Sequence, residues 1–129
     1  MKKYKNNLKT FLNLKPHISN QHYNLVCILT DKTGKILSIG YNSMTKTHPF
    51  HSQYAIQAGH PLRSTLHAET HALSRCSEIP YMATVYRLRS SGLLGLARPC
   101  EICMLALRKN GVQKLQYSTN EQTFIIEDL

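Results

Sequence analysis

Two short strings hold the residues of this chain best able to do chemistry: His67-Ala68-Glu69 and Pro99-Cys100-Glu101-Ile102-Cys103. Together they offer one imidazole and two thiolates, donors suited to zinc. Three protein ligands leave the fourth tetrahedral position of the ion open, which separates a catalytic zinc site from a structural one. Glu69 stands two residues from the histidine and is free to move protons. A zinc ribbon that only folds the chain wants four protein ligands, commonly two Cys-x-x-Cys pairs, and the sequence holds one such pair.

Local patterns indicate which elements must position these residues. Ser64-Thr65 reads as a helix start, and Leu66, Ala68, Thr70, Ala72 and Leu73 follow helical spacing. His67 and Glu69 then fall in the first turns, at the positive end of the helix dipole. Pro99 suits the first position of a second helix, where its missing N–H would have no partner in any case. Cys100 and Cys103, three residues apart, would share one face of that helix. Cysteines at a helix N-terminus have depressed thiol pKa values and bind metal as thiolates. Two helix N-termini converging on one cation would make a compact catalytic site.

The rest of the chain reads as alternating strands and helices. Leu8, Phe11, Leu12 and Leu14 suggest a basic amphipathic helix within residues 1–19, ended around Lys15-Pro16. Residues 24–30 form a compact apolar strand, 31–34 a hairpin turn, and 36–41 the returning strand. A polar segment over 42–63 follows, with 53–58 helical inside it. Residues 83–88 read as a third strand, joined to the cysteine helix through an apolar loop around Gly92 to Gly95. That helix runs to about Lys109, where Asn110-Gly111 supplies a left-handed cap. Strands over 112–118 and 123–126 complete the order. The expected fold is α/β, a three-layer α/β/α arrangement with a mixed sheet of four to five strands in one domain spanning 1–129. The zinc helices would cover one face and the first helix the other.

The net charge is +9, and it is uneven: before Glu69 the acidic residues number one, Asp31, against eight lysines and Arg63. Such a surface attracts phosphates, on a free nucleotide or on a polynucleotide. Cys27 and Cys76 read as reduced thiols, and no apolar signal segment follows the basic Met1–Asn7 stretch, so a cytoplasmic protein is expected. The sequence shows no apolar run long enough to cross a membrane.

Histidine-x-glutamate followed by proline-cysteine-x-x-cysteine resembles the signature of zinc-dependent nucleobase deaminases. From about residue 20 to residue 118, taken as the catalytic core, the element order is similar to the cytidine deaminase-like fold, and most of all to small deoxycytidylate- and cytidine-type deaminases. The resemblance implies that His67, Cys100 and Cys103 bind Zn2+ and that Glu69 shuttles protons. Hydroxide generated on the metal would convert an amino base to its oxo counterpart. It also implies that Asn42, in Gly40-Tyr41-Asn42, holds the sugar or base of the substrate. Ala68 and Pro99, beside the ligands, are expected at the substrate site, and Phe50 is a candidate for stacking on the base. Many relatives carry glutamate before the proline-cysteine pair, where this chain has Arg98, which would contact a phosphate or remain a solvated loop charge.

The expected activity is release of ammonia from a cytosine nucleotide, deoxycytidylate first, by a homo-oligomer. The alternatives are a deaminase of cytosine or adenine in single-stranded DNA or RNA, and a catalytically silent zinc protein that binds nucleic acid. The last would have no need of Glu69. His48, His51, His60 and Cys76 raise a second metal site in principle, without diagnostic spacing, and His71 reads as a supporting or packing residue on the zinc helix.

Overall fold

A computed structural model describes residues 2–4, 24–43 and 46–129. The described elements are β1 (Lys2–Tyr4), β2 (Leu25–Thr30), β3 (Ile36–Tyr41), α1 (Pro49–Gln57), α2 (Ala68–Ser74), β4 (Met82–Leu88), β5 (Leu94–Gly95), α3 (Glu101–Lys109), β6 (Lys114–Ser118) and β7 (Phe124–Asp128). The strands form one sheet in the order β1-β7-β6-β4-β2-β3, with the short β5 on β4. β4 and β6 are parallel, joined by α3 as the crossover, while β2–β3, β2–β4 and β6–β7 are antiparallel. The sheet is mixed, as the element order requires.

It is also larger than four or five strands. The additional members, β1 and β5, are three and two residues long, too short to show alternation. Lys2–Tyr4, expected as part of a helix, instead pair antiparallel with Phe124 to Ile126 along the edge of β7. That pairing satisfies backbone groups which a bare edge would leave open. The helix expected around Leu8 to Leu14 lies outside the described residues.

Strand alternation divides the core. Cys27, Leu29, Ala83, Val85 and Leu115 pack with Leu73, Ile102 and Leu107 of the helices. The intervening residues Val26, Ile28, Tyr86 and Leu88 join Leu94 and Phe124 in a second cluster. β2 reads as a continuous apolar run because both of its faces are buried. Each fully buried Leu or Ile contributes about 1.5–3 kcal/mol. The turn between β2 and β3 is held by Asp31, whose Oδ1 accepts from the N–H groups of Thr33 (2.8 Å) and Lys35 (3.0 Å), with Gly34 at φ +90°.

α2 is held to β3 by two hydrogen bonds that flank a close backbone approach. Ser38 Oγ donates to the Ala72 carbonyl at 2.7 Å, and the Tyr41 N–H donates to His71 Nδ1 at 3.0 Å. His71 is thus a packing residue that spends one ring nitrogen on the neighbouring strand. Between these bonds Gly40 lets the helix backbone approach closely. A Cβ at Gly40 would lie 2.3 Å from Ala72 N and 2.4 Å from Ala68 O.

Those neighbours are backbone atoms and cannot rotate away. Gly40→Ala should therefore cost about 3 kcal/mol or more, at or above the upper end of the usual overpacking penalty. Denaturant unfolding measures this, and an unchanged midpoint would contradict the close approach.

Candidate metal centre

The N-termini of α2 and α3 meet, α2 starting two to three residues and α3 two residues later than the sequence pattern suggests. Residues 65 and 66 cannot begin α2 because they are paired sideways. Thr65 bridges Thr47, the Leu66 carbonyl accepts from the Ser43 N–H, and the Leu66 N–H donates to the Lys46 carbonyl, both at 2.8 Å. His67 is consequently the N-cap, with extended backbone, and Glu69 lies in the first turn. In α3 the N-cap is Cys100 and Pro99 stands just outside the helix. The Cys100 carbonyl accepts the first intrahelical bond, from Met104 N–H at 2.8 Å, which is what an N-cap residue does. The far end of α3 follows expectation, with Asn110 as cap and Gly111 at φ +91°.

This capping geometry brings the chemistry together. His67 Nδ1 lies 3.3 Å from Cys103 Sγ and 3.5 Å from Cys100 Sγ. In a tetrahedral zinc site, with Zn–S about 2.3 Å and Zn–N about 2.0–2.1 Å, a sulfur and a nitrogen ligand stand about 3.6 Å apart. The three donors are therefore already near the separations the ion requires. The Cys100 thiol is pulled down to about 3, first by the hydrogen bond from Cys103, against burial, and further by His67 and the Cys103 backbone. Cys103 moves the other way, held protonated by its bond to Cys100 and by burial. One thiolate is thus favoured without any cation, and the donor set fits zinc. Glu69 is buried beside them, and desolvation raises its carboxyl pKa above the usual range.

A second imidazole approaches the same point. Ligand atoms of His51, His67 and Cys103 lie within 4.8 Å of one another, and the His51 and His67 rings are 4.5 Å apart. His51 is fully buried, and both of its nitrogens are engaged. Nε2 is 3.0 Å from the Arg63 carbonyl, which can only accept, so Nε2 carries the proton. Nδ1, 2.8 Å from Thr70 Oγ1, then accepts from the hydroxyl, which also lies 3.2 Å from the His67 carbonyl and can donate there instead. Burial lowers the His51 pKa, which keeps the ring neutral and this tautomer in place. Thr70 Oγ1 in turn accepts from the His67 N–H at 3.3 Å. A relay from Arg63 through His51 and Thr70 thus ends on the backbone of His67.

The remaining residues singled out from sequence fall in different places. A cleft of about 330 Å³ is lined by His67, Glu69, Pro99, Cys100 and Arg98. Ala68 is fully buried at the helix start and Asn42 is buried behind the cleft, neither of them among its lining residues. The Asn42 side chain accepts from the Leu25 N–H at 3.1 Å and donates to Asn24 Oδ1 at 3.4 Å, and Asn24 and Leu25 do line the cleft. Phe50 packs edge-on against Tyr54, with ring centroids 5.3 Å apart, and is not a lining residue. The Arg98 guanidinium grips Glu127 through Nε (2.8 Å) and Nη2 (3.2 Å). The histidines that raised a second metal site are separated: His48 caps α1, and His60 pairs with Glu101 at 2.9 Å.

Sequence reasoning missed the relay and five further cleft residues, Asn24, Leu25, Arg87, Leu96 and Ala97. A signal for Arg87 existed. It shares the strand register of Ala83 and Val85, which face the core, so a charge there is out of pattern. The relay left none, because nothing in a sequence places residue 51 against residue 70.

A mixed α/β sheet with His, Cys and Cys donors at two helix starts, and a buried carboxylate among them, defines the zinc-dependent deaminase class. The family described as the cytidine and deoxycytidylate deaminase zinc-binding region matches residues 1–119, and the chain belongs to it. No curated protein matches the chain significantly. The protein is accordingly a zinc-dependent, cytidine-type deaminase in general character.

Thr70→Val keeps size and removes the hydroxyl from between His51 and His67. It should destabilise the fold by about 1–3 kcal/mol, since a buried ring nitrogen and a backbone N–H lose their partner. Unfolding curves of the zinc-loaded protein that coincide with wild type would show the relay to be idle.

Proposed function

We propose that the protein deaminates cytosine in a free nucleotide, deoxycytidylate first, with water consumed and ammonia released. The observation that carries this reading is the burial of Glu69 in a cleft it shares with His67 and Cys100 and with two arginines, Arg87 and Arg98. His67, Cys100 and Cys103 would hold the metal. His51 is better suited to supporting His67, since its proton and its lone pair are both committed. Bound zinc supplies a Lewis acid that lowers the pKa of water from about 15.7 to roughly 7.

The protein's own part is proton movement and orientation. Glu69 accepts a proton from the attacking water and passes it to the ring nitrogen next to the amine-bearing carbon; it then takes the remaining hydroxyl proton and delivers it to the amino group, which departs as ammonia. Its burial suits that traffic, because desolvation raises the carboxyl pKa above its ordinary value and so makes the group a better proton acceptor. Pro99 forms part of the wall against which the base rests. Asn42 acts at one remove, by fixing Asn24 and Leu25 at the rim. The cleft is at the small end of the usual range for ligand pockets, about 300–1,000 Å³, which favours a single nucleotide.

A polynucleotide substrate is the second reading, favoured by the net charge of +9. It predicts a steep loss of affinity with salt, where one nucleotide phosphate gives a shallow slope.

The protein should carry about one zinc per chain, and Cys100→Ala or Cys103→Ala should lose both metal and stability. Glu69→Gln should retain zinc and fold while turnover falls about 100- to 10,000-fold. Metal analysis beside steady-state kinetics checks both. Loss of zinc from Glu69→Gln would make the carboxylate a ligand and overturn the assigned roles.

A further inference from the structure

The cleft has two arginines, and they are not equivalent. Arg98 holds Glu127 through two parallel bonds, so its donors are largely spent within the protein. Arg87, on the same cleft, is exposed, and its guanidinium has no hydrogen-bond or ion-pair partner among the described residues. Its backbone is fixed: the N–H donates to Ser118 Oγ at 3.0 Å, and the residue pairs with Leu25 of β2 and Gly95 of β5.

Gly95 also shapes the path of the side chain. A Cβ at Gly95 would sit 3.2 Å from Arg87 Cδ and 3.4 Å from its Cγ. The arginine stem thus lies along a bare stretch of β5, and a larger residue there would press on it. Arg89, the next residue on that face, is tied to the Leu94 carbonyl through Nε at 3.0 Å and also passes close to Gly95. The two-residue strand β5 therefore serves as a seat for an arginine stem whose head stays unclaimed at the cleft.

We propose that Arg87 is the phosphate-reading residue of this site, selecting a nucleotide over the corresponding nucleoside. The inference rests on the deaminase reading above for the location of the base, but the charge logic is independent of which base is taken. A planar guanidinium with free donors grips a phosphate through parallel hydrogen bonds, which a lysine cannot reproduce. Arg98, already paired, serves as a fixed wall.

Calorimetric binding to the zinc-loaded protein, with Glu69→Gln in every sample so that no substrate is consumed and wild type meaning Arg87 intact, separates the possibilities. The probes are deoxycytidine, deoxycytidylate, the other three deoxynucleosides with their 5′-monophosphates, and a short cytosine-containing oligonucleotide. Wild type should bind at least one monophosphate about ten- to hundredfold tighter than its nucleoside, the range of a charge-assisted bond. Arg87→Ala should erase most of that preference, and Arg87→Lys should restore only part of it. Gly95→Val, which crowds the stem without removing charge, should weaken the preference too. Equal affinity of wild type for every nucleoside and its monophosphate would overturn the proposal. So would a preference that survives Arg87→Ala, or an Arg87 dependence seen with the oligonucleotide alone. Phosphate preference that depends on Arg87, in a protein that with Glu69 intact releases no ammonia from deoxycytidylate, would uphold this inference and reject the proposed substrate.

Discussion

The convergence of two helix N-termini on one point is the constraint on which the rest of the structure depends. His67 caps α2 and Cys100 caps α3, and with Cys103 one turn further on their donor atoms stand 3.3–3.5 Å apart. Bringing so many polar groups together in a largely buried place is costly unless each has a partner. The free N–H groups and positive dipole ends of both helices offset part of that cost, since they stabilise thiolate and carboxylate alike. A zinc ion held by these donors would complete the compensation. Folding and metal binding should therefore share free energy in this protein.

Holding two short helices in that position takes more than their own stability. α2 has seven residues, too few to persist alone in water, so the sheet must hold it. Gly40 allows the close approach, Ser38 and Tyr41 bond the helix at either side of it, and the relay from Arg63 through His51 and Thr70 fixes its first residue. α3 is held by burial instead, with Ile102, Cys103, Ala106 and Leu107 wholly enclosed. Its charges also fall on the favourable ends, Glu101 in the first turn and Arg108 and Lys109 in the last. One zinc helix is thus positioned by hydrogen bonds and the other by packing.

What could be read from the sequence follows from the range of the interactions involved. That His67, Glu69, Cys100 and Cys103 come together was legible, because the chemistry they suggest demands fixed residue types at short spacing. β2, β3, β4 and α3 were legible because burial imposes alternation or helical spacing over five residues or more. The start of α2 was placed two to three residues early because its capping is decided by long-range pairing, Thr47 with Thr65, and Pro99 was placed inside α3 although it stands two residues before the first helical position. β1 and β5 gave no signal, being defined only by the strands beside them. The surroundings of Asn42 and Phe50 could not be read from residue type. An asparagine near the site can face substrate or backbone, and here it accepts from Leu25 and donates to Asn24. An aromatic residue can stack on a base or on Tyr54, and here it meets Tyr54.

The central claim is that this arrangement replaces the amino group of a cytosine nucleotide by oxygen. Mass spectrometry of products from the zinc-loaded protein, run with ammonia assay over a panel of nucleosides, nucleotides and oligonucleotides, tests it most directly. Deoxycytidylate should become deoxyuridylate with one ammonia released per turnover, and a chelator should abolish the reaction. Turnover confined to oligonucleotides, or conversion that persists undiminished after zinc removal, would contradict it.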